Sequence, residues 1–86
     1  MRAREYSQTI ADSEANRWSA KPIGELISEL KEAREYRLEV NSKQYQIEVE
    51  LLENTEAYIH GLVAVDHGSL PQSLRPVCAS FIVRKT

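Results

Sequence analysis

Tyr36-Arg37-Leu38-Glu39-Val40-Asn41-Ser42-Lys43-Gln44-Tyr45-Gln46-Ile47-Glu48-Val49-Glu50-Leu51 is the stretch that decides the fold of this 86-residue chain. Tyr36, Leu38 and Val40 alternate with Arg37 and Glu39, and Tyr45, Ile47, Val49 and Leu51 alternate with Gln44, Gln46, Glu48 and Glu50. Successive side chains of a strand point to opposite faces, so each run has one apolar face and one wet face. That is the pattern of an antiparallel sheet covered on one side only. Asn41-Ser42-Lys43 supplies a tight hairpin between the runs. Two registers keep the apolar faces together. A loop at Ser42-Lys43 pairs Leu38 with Ile47 and Tyr36 with Val49, and it is favoured because it sets Arg37 opposite Glu48. A loop at Asn41-Ser42 satisfies the same parity.

Downstream, Asn54-Thr55-Glu56 reads as a turn. The next strand, Ala57 to Val65, places Ile59, Gly61, Val63 and Val65 on one face and Tyr58, His60, Leu62 and Ala64 on the other. Asp66-His67-Gly68-Ser69 closes that strand. An irregular connection with Pro71 and Pro76 then leads to a last strand, Val77 to Arg84. This strand has Val77, Ala79, Phe81 and Val83 on one side and Cys78, Ser80, Ile82 and Arg84 on the other. The first three strands are expected to form a meander. The fourth can return beside the first strand or lie at the other edge.

Upstream, Ile23, Leu26, Ile27 and Leu30 recur at helical spacing after Pro22, with Ala33 extending the stripe and Glu25, Glu29 and Glu32 on the opposite side. This segment is the expected cover of the apolar sheet face. Residues 1–20 read as a polar head, a mobile tail or a short helix begun near Asp12-Ser13-Glu14, because only Tyr6, Ile10 and Trp18 there are large and apolar. The expectation is therefore a head at 1–20 followed by one domain at 21–86. That domain is α+β, one amphipathic helix on one face of a mostly antiparallel four-stranded sheet, in two layers and in the order α-β-β-β-β.

Composition excludes several functions. The net charge is −2, and residues 25–56 carry nine acids against four bases, the opposite of a nucleic-acid-binding surface. The longest apolar run, Leu62 to Val65, falls far short of the ~20 residues that cross a bilayer. A single cysteine, Cys78, permits no disulfide within the chain, and a cytoplasmic, membrane-free setting is the default expectation.

Motifs for chemistry are missing too. The three glycines are scattered, so no glycine-rich phosphate loop is formed. His60 and His67, the two histidines, would stand roughly 23 Å apart along a straight strand, too far to share a metal ion. Cys78 sits between Val77 and Ala79 with no base beside it in sequence, which describes a structural thiol better than a nucleophile. The glutamates fall at positions the periodicity assigns to solvent. No catalytic, cofactor-binding or metal-ligating residue is assigned.

One feature points to function. The face opposite the expected helix is polar on the first two strands but turns apolar on the last two; Leu52, Tyr58 and Leu62 are expected to share it, joined by Cys78 and Ile82. An uncovered patch of that kind marks an association surface. Either the head folds back so that Trp18 and Ile10 shield it, or a second subunit or another protein does. The expected function is a non-catalytic protein-interaction or accessory module, a possible homodimer, using this patch or the acidic helix-and-hairpin surface. The alternative is a small-molecule binding protein or minor enzyme with a pocket between the sheet and the 66–76 connection, lined by Tyr58, His60, His67 and Cys78.

Overall fold

The structure, a computed structural model, describes residues 3–66 and 77–85, with side chains from Ser7 onward. Helix α1 (Ala3–Ser19) and helix α2 (Ile23–Glu29) precede four strands, β1 (Arg34–Val40), β2 (Lys43–Asn54), β3 (Tyr58–Asp66) and β4 (Val77–Arg84). The strands form one antiparallel sheet in the order β1-β2-β3-β4. The fold is two-layered α+β, as the alternating residues require. The fourth strand lies beside the third, which leaves β1 and β4 as the two edges.

The inner face of the sheet carries the core. Tyr45, Ile47, Val49, Ile59, Val63, Val65 and Phe81 are buried there. They are joined by Ile10, Ala11, Ala15 and Trp18 from α1 and by Leu26 and Leu30 from the α2 region. The principal cover is α1, which lies over β3 and β4. This differs from the expectation that the segment after Pro22 covers the sheet alone. The buried positions of α1 are Ser7, Ile10, Ala11, Glu14, Ala15 and Trp18. Their spacing is that of one helix face, but half of that stripe is alanine or serine and one member is a glutamate. Hydropathy therefore conceals a stripe that geometry uses, because small side chains let the helix backbone approach the sheet. At 17 residues, α1 is about 25 Å long and reaches across the layer.

The second helix is shorter than its apolar stripe suggests. It ends with Leu30 as its C-cap, where the Leu30 amide donates to the Leu26 carbonyl (2.9 Å). Ala33 is exposed. The twelve-residue β2 is long enough to offer partners upstream of Tyr36, so Arg34 pairs with Val49 and Glu35 with Glu48. The chain after Leu30 is thus drawn into the ladder instead of another helical turn.

The hairpin register also corrects an expectation. Leu38 faces Tyr45, Tyr36 faces Ile47 and Arg37 faces Gln46, so the loop is Asn41-Ser42 and not Ser42-Lys43. Both loop residues have positive φ, 52° and 68°. Two-residue turns with positive φ at both positions match the right-handed twist of the strands they join, and asparagine enters that region readily. The Arg37–Glu48 pairing that favoured the other register is worth at most ~1 kcal/mol, and turn geometry outweighs it.

A polar cluster fastens α1 to β1 at the rim of the core. The Tyr36 hydroxyl donates to Glu14 Oε1 and accepts from Trp18 Nε1 (2.8 Å) and Arg17 Nη2 (3.2 Å). Arg17 Nη2 also donates to Glu14 Oε1 (2.8 Å). Nearby, Lys21 Nζ sits 4.8 Å from the Trp18 ring centroid and 3.2 Å from Glu29 Oε2. The Glu14 residue is only 8% exposed. Burial is the largest single influence and acts to raise the pKa of Glu14. The Arg17 hydrogen bond, the Tyr36 hydrogen bond and the Arg17 charge together outweigh it and hold the carboxyl below its ordinary value. Burial, then the bond to Glu14, raises the Tyr36 phenol.

A depressed carboxylate contributes stability above its unfolded pKa, near 4.5, and that contribution is lost as pH falls through the lower folded value. Tyr36→Phe removes the acceptor of the Trp18 N–H and one of the donors to Glu14. It should cost about 2 kcal/mol at neutral pH and flatten the acid limb of the stability profile. Urea denaturation of both proteins across pH 3–7 checks this (a range set around the ordinary carboxylate value). Parallel acid limbs would contradict the assignment.

Candidate functional site

The sheet face turned away from both helices is laid out by the strand registers. Across β2, β3 and β4, Glu48, Ala64 and Cys78 form one row, and Glu50, Leu62 and Ser80 form the next. Glu53, His60 and Ile82 follow, and Tyr58 faces Arg84 beyond them. On β1 the outward residues are Glu35, Arg37 and Glu39. The face thus grades from an acidic half on β1 and β2 to a more apolar half on β3 and β4.

Of the five residues expected to form the patch, Ile82 is 61% exposed and Leu52 is 49% exposed. Tyr58 and Leu62 are half-buried, and Cys78 is exposed. Trp18 and Ile10, which were alternatives for shielding this face, are buried in the inner-face core and do not cover it.

A bulge reshapes the lower part of the face. The register shifts between Leu51, opposite Gly61, and Glu53, opposite His60, so Leu52 is the extra residue. A bulge inserts one residue into a strand and reverses the alternation beyond it. Glu53 thereby takes the outward position that unbroken alternation would give to Leu52. Its carboxylate accepts from the Tyr58 hydroxyl (3.2 Å) and lies 3.6 Å from His60 Nδ1. The Glu53 charge raises the pKa of the Tyr58 phenol. The sequence signal for this arrangement is the doublet Leu51-Leu52, the point where apolar residues stop alternating.

The residues proposed as an alternative pocket are only partly gathered. Tyr58 and His60 meet around Glu53. Cys78 pairs with Ala64, four residues along β3 from His60, or about 13 Å of strand. His67 and the rest of the 67–76 connection lie outside the described residues. Among the described residues, no group of three or more histidine, cysteine, aspartate or glutamate side chains is placed to hold a metal ion. No helix among them is long and apolar enough to cross a membrane. Comparison with protein-family models, curated proteins and solved structures finds no match for this chain.

Proposed function

We propose that this chain is a small interaction module that binds a protein partner through the outer face of β3 and β4, with the acidic outer face of β1 and β2 as its flank. The supporting observation is the division of labour between the two faces. Both helices are committed to the inner side, while Ile82 stands exposed on the outer side beside the half-buried Leu62 and Tyr58. Burying such side chains against a partner is favourable by roughly 25 cal/mol per Å² of apolar surface removed from water. The carboxylates of Glu35, Glu39, Glu48, Glu50 and Glu53 beside the patch suit a partner with an apolar centre and a basic rim, since complementary charge steers association and fixes its orientation.

The test compares Leu62→Lys with His60→Ala. Each protein is immobilised and used to capture partners from its native cell extract at low and high salt, and the captured protein is then titrated in purified form. Leu62→Lys places an ammonium at the centre of the patch and should weaken capture at least tenfold, while His60→Ala changes it little. Capture that survives the lysine, or a small-molecule binding signal lost only in the histidine variant, would transfer the function to the Glu53–Tyr58–His60 cluster.

A further inference from the structure

The two edges of the sheet are not alike. At one edge, β1 carries Arg34, Glu35, Arg37 and Glu39, four charged residues in a strand of seven. Charges on an edge strand discourage another strand from pairing with it. At the other edge, β4 reads Val77-Cys78-Ala79-Ser80-Phe81-Ile82-Val83-Arg84, with no charge before its last residue. Among the described residues no strand pairs with the outer edge of β4. Its inward side chains are also incompletely covered: Val77, Ala79 and Val83 point to the core side yet are only half-buried.

We infer that β4 is a self-association edge, pairing antiparallel with β4 of a second copy about a two-fold axis at Ser80, so that two four-stranded sheets join into one of eight strands. The inference shares the interaction reading given above but uses a different surface, the strand edge instead of the sheet face.

The register follows from the residues. An antiparallel partner keeps inner faces together only when paired residues have the same parity. With the axis at Ser80, Phe81 faces Ala79 of the second copy, Val83 faces Val77, and Ile82 faces Cys78. On the inner side Phe81 then meets the small Ala79 and valine meets valine, and the exposed Ile82 of the outer face gains a cross-strand neighbour. An axis at Phe81 would oppose two phenylalanines, whose space is already taken by the packing over Gly61, and would set Cys78 against Arg84. An axis at Ala79 would leave Ile82 and Val83 outside the paired segment. Isologous two-fold pairing of this kind closes on itself and ends the assembly at two copies, because the remaining edges are the charged β1 strands.

Cysteine pairing tests both the contact and its register. Ser80→Cys in a Cys78→Ser background places two thiols directly opposite each other at the axis. Under mild oxidation a covalent dimer should become the main species. Ile82→Cys in the same background should stay monomeric on a denaturing gel, because its expected partner position then holds serine. Sedimentation of the unmodified protein across a concentration series should show a reversible monomer–dimer equilibrium, and Leu62→Lys should leave it unchanged. Absence of any dimer in sedimentation, or crosslinking of Ile82→Cys in preference to Ser80→Cys, would overturn the inference. Loss of dimer in Leu62→Lys would assign self-association to the outer face instead, and would contradict the edge inference while leaving the interaction reading standing.

Discussion

Trp18→Ala is expected to destabilise the protein by about 3–5 kcal/mol, the range for truncating a buried large aromatic side chain. A small domain has a total stability of only about 5–10 kcal/mol, so the variant should be largely unfolded or should release α1. The indole is 3% exposed and lies on the stripe by which α1 meets the sheet. Its ring centroid is 6.4 Å from that of Tyr36, and its N–H donates to the Tyr36 hydroxyl. Two cations border it, with the Arg17 guanidinium carbon 5.6 Å and Lys21 Nζ 4.8 Å from the ring centroid. Trp18→Phe keeps much of the packing and loses the hydrogen bond, so it should cost less, about 1–2 kcal/mol. Urea denaturation followed by circular dichroism measures both. An unchanged midpoint with a native helical signal in Trp18→Ala would show that α1 does not close the core.

Gly61→Val should cost about 3 kcal/mol or more, at or beyond the upper end of the usual range for forced overpacking. Gly61 and Phe81 face each other across β3 and β4, and the phenylalanine ring lies over the glycine backbone. A β-carbon at residue 61 would meet the Phe81 ring, with the Cε1 and Cε2 atoms at 2.7 and 2.8 Å. Ring and backbone cannot both keep their places. Glycine weakens a strand by its conformational freedom, and here the cross-strand ring covers the surface a side chain would otherwise have filled. Coupling is the sharper signature. Phe81→Leu in the Gly61→Val background should be less damaging than the two single changes imply, by about 1 kcal/mol or more in a double-mutant cycle. Strict additivity would mean that the ring has room to move aside, and that Gly61 serves some other purpose.

The two substitutions test elements of unequal legibility. All four strands could be read from the chain, because a sheet covered on one face writes its burial into the sequence with a period of two. Ile47, Val49, Ile59, Val63 and Val65 are interior as that period requires. The hairpin register was open between two choices of equal parity. It was decided by the positive φ of Asn41 and Ser42, a matter of twist and not of polarity. The helix that closes the core was obscured. Its contact stripe runs through Ser7, Ala11, Glu14 and Ala15, residues that carry little hydropathy but leave room for close approach and for a partly buried ion pair. Glu14 and Arg17 would be read from sequence as a solvated i, i+3 pair, and only the placement of Tyr36 beside them shows that they fasten a helix to a strand.

Of the outer face, the apolar residues were visible in advance. Glu53 was not, because a bulge moves every later residue of its strand to the opposite side. The contrast between the two edges is also partly visible, since β1 carries four charged residues and β4 none before Arg84. Which strands stand at the edges follows only from the sheet order.

The proposed binding surface requires α1 to occupy the inner side of the sheet, which leaves the other side to a partner. The nuclear Overhauser spectrum of the wild-type protein tests this most directly, since Trp18 is the one tryptophan in the chain. Its indole N–H should show cross-peaks to the aromatic protons of Tyr36. Cross-peaks from that indole to the methyl groups of Leu62 and Ile82 would place α1 on the outer face and contradict both the packing and the proposed binding surface.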